Sequence, residues 1–271
     1  MNDAESLAAE LLDAYDHGAL ITPPSARGPF SIADAYAVGR RLVARRRARG
    51  EQTVGRKIGF TNTSIWAEYG VDRPLWAHVY AGTVQDAEHD TATVSLASMV
   101  APRIEPEIVF GLRHAVAPHT TDLNELLDHL AWYAAGFEIV DCHFPDWRFS
   151  SADCAADFGL HARLVIGRRI PIDHSAGADL IDQMARFTVT LQRDGTTVAT
   201  GGGAFVLGNP LHALRYLVET LAAQGDAPLA AGEVVTTGTL TPALPILAGE
   251  RWHSVSDGLD AVGVRLTLIR C

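Results

Sequence analysis

From residue 53 onward the sequence is a succession of short apolar runs bounded by glycine, proline and aspartate, a texture that sets the fold class before any motif is considered. Strands are expected near 53–60, 103–112, 136–140, 161–167, 186–193, 197–200, 233–237 and 262–269. Gln192 to Thr197 reads as a hairpin, because Asp194-Gly195 between alternating segments is a strong tight-turn signal. Helical spacing is confined to four stretches. Leu7, Leu11, Leu12 and Tyr15 precede a stop at Gly18, and Ala35, Val38, Leu42 and Val43 follow a Ser31 cap with Asp34 three residues on. The others are 122–132, opened by Thr121 or Asp122, and 210–224. These helices do not alternate regularly with the strands, which disfavours a doubly wound parallel sheet and favours a β-rich α+β roll with N-terminal helices. The expected division is 1–80, a helical cap carrying the first strand, packed on 81–271, the β-rich catalytic body, as one structural unit.

Composition acts by exclusion. Hydrophobic residues make up 48% and charged residues 20%, enough apolar mass for a packed core and unlike a disordered chain. The net charge of −10 argues against a nucleic-acid partner, since phosphate binding needs a cationic footprint. The one basic run, Arg40 to Arg49, falls on the second helix and reads as a solvated face or a subunit contact. The three cysteines, Cys142, Cys154 and Cys271, have no C-x-x-C spacing, which fits a reducing compartment. Met1 to Glu5 lacks the basic start and apolar stretch of a signal peptide, and no run of about 18 apolar residues could span a bilayer. A cytoplasmic protein without a membrane partner is expected.

Arg103-Ile104-Glu105-Pro106-Glu107-Ile108-Val109-Phe110 carries the clearest chemical signal. Residues two apart on a strand point the same way, so Glu105 and Glu107 converge and would raise one another's pKa unless a cation sat between them. Glu138, inside the apolar run Gly136 to Val140, is costly to bury unpaired and is the natural third acid for Mg²⁺ or Mn²⁺. Spacing leaves another reading open, in which Glu105 and Glu107 lie on a solvated strand face and Glu138 pairs with an arginine such as Arg103.

Lys57 stands between Gly55 and Gly59 on one strand face with Thr61 beyond, a position suited to substrate contact or proton transfer and equally to a surface lysine. Gly201-Gly202-Gly203, followed by Leu207 to Pro210 and a helix, offers backbone amides to a carboxylate, while Thr236 to Thr241 adds hydroxyls and a tight turn. The G-x-S-x-G, H-E-x-x-H and Walker A patterns are absent, and the eleven histidines have no metal-ligand spacing.

Taken in order, GRKIGFT (55–61), YGVDRP (69–74), PRIEPEIVF (102–110), FEIVD (137–141), Asp146-Trp147, AAD (155–157), VLGNPL (206–211) and AGEVVTTGTLT (231–241) resemble the hydratase/decarboxylase branch of the fumarylacetoacetate hydrolase superfamily. The likeness runs through nearly the whole chain. It implies a β-rich roll of that superfamily's C-terminal-domain type and a Mg²⁺ or Mn²⁺ site made by Glu105, Glu107 and Glu138. It also implies a lysine at Lys57 that assists proton transfer or holds a carboxylate, a small 2-oxo acid substrate, and a homo-oligomer, often pentamer-based. Thr61, Trp76, Gly203 and Thr239 are the candidate substrate contacts.

The departures concern the pocket. Hydratases of the family carry P-D-F-G where this chain reads Pro74-Leu75-Trp76-Ala77-His78, so an acid near the lysine is missing, and Leu75 and Trp76 lean toward the decarboxylases. A-D-N-A-S-S becomes Ala156-Asp157-Phe158-Gly159-Leu160-His161, and a Ser-Arg pair becomes Cys142-His143. His78, His143 and His161 are therefore candidates for acid/base work near neutral pH, with His78 and His161 placed beside Lys57 as catalytic. The expected activity is hydration of a 2-hydroxypenta-2,4-dienoate-type acid to a 4-hydroxy-2-oxo acid. The alternatives are decarboxylation of a 4-oxalocrotonate-type 2-oxo-3-enedioate and a non-catalytic partner subunit.

Overall fold

The structure is a computed structural model that describes residues 3–260 and 263–270. Cys271, Met1, Asn2 and the first position of the strand expected at 262–269 lie outside the described residues. In chain order the first half comprises α1 (Ala4–His17), α2 (Ile32–Ala48), β1 (Thr53–Gly59), α3 (Trp66–Tyr69), β2 (Leu75–Tyr80), β3 (Val84–Asp86), β4 (Thr91–Ser95), β5 (Arg103–Leu112), α4 (Leu123–Asp128) and β6 (Leu130–Val140). There follow α5 (Ser151–Ala156), β7 (His161–Ile166), β8 (Ile170–Pro171), α6 (Gly177–Arg186), β9 (Thr188–Arg193), β10 (Thr196–Gly202), α7 (Pro210–Gln224), β11 (Val234–Thr236), β12 (Leu244–Pro245), β13 (Arg251–Asp257) and β14 (Arg265–Ile269).

The helix ends follow local chemistry. Ser31 and Asp34 form the reciprocal capping box expected at the start of α2, Asp122 caps α4, and Gly18 ends α1 in the left-handed conformation. The basic run on α2 is less solvated than its composition suggests. Arg46 is 5% exposed, stacks 3.8 Å from the Tyr80 ring centre and pairs with Glu51 at 2.7 Å, while Arg45 and Arg49 reach Glu5 and Asp16.

Two sheets form among the described residues. The larger runs β2-β1-β11-β5-β6-β7-β3, with β12 pairing beside β5 and β8 beside β6, and the smaller runs β10-β9-β13-β14-β4. The sheets are mixed, since β1 pairs β11 and β14 pairs β4 in parallel while β5 and β6 are antiparallel. With the helices this is an α+β architecture, as expected. The Asp194-Gly195 hairpin joins β9 to β10, both turn residues in the left-handed region.

Strand β5 divides the interior. Ile104, Ile108 and Phe110 face the main apolar core shared with α1, α2 and α7, whereas Glu105, Glu107 and Val109 face the other side. Helix α4 stops at Asp128, short of the expected 132, because Leu130 begins a strand whose ladder against β5 satisfies the backbone through Val140. Among the described residues no helix is long and apolar enough to cross a membrane.

Candidate metal centre

The β5–β6 ladder sets Glu105 directly opposite Glu138 and Glu107 opposite Gly136. Paired residues and residues two apart share a face, so the three carboxylates point to one side of the sheet. One oxygen from each lies within 4.8 Å of the others. On the same face β11 sets Thr236 opposite Val109, and β1 sets Lys57 opposite Thr236. Sheet register alone brings the four charged groups together.

Each inner glutamate has one oxygen held and one left over. Oε2 of Glu107 accepts from the Thr236 hydroxyl and from the Gly238 N–H at 2.8 Å, while its Oε1 is buried without a hydrogen-bond partner. Position 238 requires glycine: φ is +99° and a Cβ would collide with Thr61 Oγ1. Oε1 of Glu138 meets His161 Nδ1 at 2.7 Å, and its Oε2 lies 3.1 Å from Lys57 Nζ in a charge contact that lacks hydrogen-bond geometry. The opposing reading, a solvated strand face with Glu138 on an arginine, does not hold, since Glu107 and Glu138 are 1% and 0% exposed and Glu138 faces lysine and histidine. Two buried carboxylate oxygens without a hydrogen bond, one of them in charge contact with Lys57, beside a third carboxylate are a donor set that fits a hard divalent cation.

The electrostatics agree. Burial, then the negative charge of Glu138, pushes the Glu105 carboxyl up to about 7, with Lys57 opposing. Burial and the charges of both neighbours push Glu107 well above the usual carboxylate range. Burial acts on Glu138 in the same direction but is outweighed by Lys57 and His161, which hold it below its ordinary value. Burial opposes the Lys57 charge and the glutamates overcome it, so its ammonium stays protonated.

These shifts fix a sign for the metal-free protein. A carboxyl whose folded pKa exceeds its unfolded value of about 4.3 binds more protons when folded, so its contribution to stability is full below that value and is lost as pH rises through the folded pKa. With chelator present, the difference in thermal midpoint between Glu105→Gln and the parent chain is expected to grow in favour of the variant from pH 5 to pH 8. Added Mn²⁺ should raise the parent midpoint more at pH 8 than at pH 6. Calorimetry across that range checks both, and a difference that shrinks with pH would contradict the assignment of Glu105.

Beside the carboxylates opens a cavity of about 180 Å³. Lys57, Glu105, Thr61, Thr239 and Arg103 bring polar groups to its wall; Phe60, Trp147 and Phe149 with Ile65, Leu75 and Leu160 make the rest largely apolar. Thr61 Oγ1 is buried without a hydrogen-bond partner, Thr239 donates to the Thr241 carbonyl at 2.6 Å, and Arg103 stacks 3.9 Å from the Trp147 ring centre. Lys57 is oriented by the carbonyl of Gly159, which accepts from Nζ at 2.8 Å. That carbonyl is presented by three consecutive left-handed residues, Phe158, Gly159 and Leu160, at φ of +54°, +59° and +63°. A Cβ at 159 would sit 3.0 Å from that of Ala77 and 3.1 Å from Lys57 Cδ.

The remaining candidates lie elsewhere. His161 is 2% exposed behind Glu138 and off the cavity wall. His143 is likewise buried, its Nδ1 2.9 Å from Asp157. Trp76 and His78 border a smaller cavity between α2 and β2. There Trp76 donates to Gln224 at 2.9 Å, and burial, aided by Arg56 and Arg47, pushes His78 down to about 3, leaving its ring neutral. Gly201, Gly202 and Gly203 sit ahead of α7, whose N-cap is Asn209, and pack against the carbonyls of Leu240, Phe187 and Met184. Sequence reasoning passed over Thr83, the Gly159 carbonyl and the aromatic wall. Nothing in the sequence near Thr83 marks it, while Thr236 and Gly238 were visible only as a turn of ordinary composition.

No family model matches the chain. It is 33% identical over 267 residues to a 2-keto-4-pentenoate hydratase of Burkholderia vietnamiensis, with 98% of each chain covered. To a 4-oxalocrotonate decarboxylase of Pseudomonas sp. it is 27% identical, with 87% of this chain and 86% of that one covered. Among solved structures, the 4-oxalocrotonate decarboxylase from Pseudomonas putida G7 complexed with magnesium and adipate superposes with a TM-score of 0.88 at 24% identity, over 98% of this chain and 97% of the other.

Proposed function

The chain belongs to the hydratase and decarboxylase branch of the fumarylacetoacetate hydrolase superfamily, and from that premise we propose that it is a divalent-metal-dependent lyase hydrating a 2-hydroxy-2,4-dienoate to a 4-hydroxy-2-oxo acid. The observation that carries this reading is the triad of buried Glu107 and Glu138 with half-buried Glu105, with two oxygens lacking hydrogen bonds and the Lys57 ammonium beside it. Mg²⁺ or Mn²⁺ suits three oxygen donors with an open side toward the cavity. Such an ion supplies a Lewis acid that stabilises negative charge developing on a substrate oxygen.

The protein's own groups do the rest. Lys57, whose charge the glutamates favour and whose Nζ is aimed by the Gly159 carbonyl, acts as a cationic anchor for the substrate's carboxylate or as a proton donor. Thr61 offers an unused hydroxyl to a substrate oxygen, and Thr239 lines the same wall. Phe60, Trp147 and Phe149 receive the carbon chain and keep water from the reacting atoms except where it is needed. In line with the family resemblance, we further propose a homo-oligomer working in the cytoplasm.

A second reading, decarboxylation of a 2-oxo-3-enedioate, is favoured by two residues of the cavity wall. Leu75 lines the cavity where hydratases of the family carry an acid, and Arg103 in the same wall gives a second carboxylate a cation. Purified enzyme with Mg²⁺ and each substrate separates the two. The expected result is loss of dienoate absorbance with formation of the 4-hydroxy-2-oxo acid; CO₂ release from the enedioate without hydration of the dienoate would overturn it.

A further inference from the structure

His161 opens β7 opposite Val140, at a register irregularity in the β6–β7 ladder, and its ring is buried between two acceptor-bearing side chains. Nδ1 lies 2.7 Å from Glu138 Oε1, and Nε2 lies 2.8 Å from Thr83 Oγ1. The Thr83 hydroxyl is in turn 2.9 Å from the Tyr80 carbonyl. Glu138, His161 and Thr83 are 0%, 2% and 3% exposed, so water does not compete for these contacts.

An ionised carboxylate only accepts hydrogen bonds, which requires the hydrogen on Nδ1 whether the ring is neutral or charged. In the neutral ring Nε2 then accepts from the Thr83 hydroxyl; in the charged ring it donates to Thr83 Oγ1, whose own hydrogen turns to the Tyr80 carbonyl. In both arrangements Thr83 fixes the ring plane, and the ring fixes Oε1 of Glu138. Oε2 has no hydrogen-bond partner and keeps only the 3.1 Å charge contact with Lys57 Nζ, which leaves it the oxygen available to a cation. Glu107 is arranged in the same manner, its Oε2 held by Thr236 and Gly238 and its Oε1 left over. Both inner glutamates thus have one oxygen tied back and one presented.

We propose that Thr83 and His161 form a positioning relay that holds Glu138 with Oε2 toward the metal, so that His161 tunes metal affinity and is neither a ligand nor an acid/base in the reaction. The proposal rests on Glu138 being a metal ligand, as argued above. It distinguishes His161 from Lys57, which lines the cavity and reaches substrate.

The test uses two isosteric replacements. In His161→Asn the amide N–H occupies the place of Nδ1, while in His161→Gln it occupies the place of Nε2. Partners that orient a metal's ligands are worth about 10- to 100-fold in affinity. Titrating Mn²⁺ by electron paramagnetic resonance should show that loss for His161→Gln and a smaller loss for Thr83→Val, with His161→Asn within a few-fold of the parent chain. At saturating Mn²⁺ kcat should recover in all three, which a proton-transfer role would not allow. Nitrogen NMR of the metal-free parent should find His161 protonated at Nδ1. Parental Mn²⁺ affinity in His161→Gln, equal losses in the Asn and Gln variants, or a ring protonated at Nε2 alone would each overturn the relay. The NMR result decides even if a variant fails to fold. Glu107→Gln serves as the control for the underlying reading: unchanged Mn²⁺ binding there would remove the metal site itself, separately from the relay.

Discussion

Glu107→Gln is expected to lose Mn²⁺ and Mg²⁺ binding in calorimetric titration and, with it, about a thousandfold or more in kcat/KM. The substitution keeps the volume and removes the charge. Glu107 is 1% exposed and its Oε1 has no hydrogen-bond partner, so a bound ion would supply the partner that oxygen lacks. A neutral amide there gives up the charge while Thr236 and Gly238 still occupy its other end. A bound metal contributes several kcal/mol of transition-state stabilisation, and each factor of ten in rate is about 1.4 kcal/mol, which sets the scale of the loss. Wild-type metal binding in this variant would show that the three glutamates serve only to hold Lys57.

The second large effect is expected at Lys57. Lys57→Met should lower kcat by about a hundred- to ten-thousandfold, the range for losing a positioned proton donor or anchor, while leaving metal affinity intact or improved. Its stability signature is separate. Removing one side of a buried charge arrangement costs about 3–5 kcal/mol, because the remaining charges lose their compensation, and here three carboxylates would be left. The metal-free variant should therefore melt well below the parent chain, most markedly above pH 7, where the carboxyls are pressed to ionise. Saturating Mn²⁺ should restore most of the midpoint without restoring turnover. Recovery of turnover along with the midpoint would mean that Lys57 holds the site together and takes no part in the chemistry.

The parts of this site that were legible in the sequence are those set by strand alternation. Glu105 and Glu107 share a face because they are two apart, and Glu138 stood out as an acid inside an apolar run; the ladder that sets it opposite Glu105 is a long-range pairing no local pattern reveals. Lys57 was marked by its flanking glycines, yet the reason for its orientation, the Gly159 carbonyl, comes from a left-handed turn that replaces a familiar family segment. Helices α1, α2 and α7 were legible from periodicity and caps. Strand β2 was read only as a departure from family pattern, since Leu75 to Tyr80 is buried at nearly every position and shows no alternation. The positions of the histidines were not legible, for a physical reason. A side chain that titrates near neutrality suggests proton transfer, but burial decides where it points, and His78 and His161 both lie off the cavity wall.

The pairing of β1 with β11 reaches beyond the site's geometry. Residue 57 lies beside residue 236, and Glu107 depends on Thr236 and Gly238, whereas Glu105 and Glu138 meet through two strands much closer in the chain. Contacts between distant segments carry a larger loop-closure cost and form slowly. During synthesis β1, which carries the chain's single lysine, must wait for nearly the whole chain to emerge before its parallel neighbour exists. The β5–β6 pair can assemble long before that, presenting three acidic side chains without their countercharge. A chain interrupted before residue 234 would carry every proposed ligand yet lack the strand that joins Lys57 to them and holds Glu107.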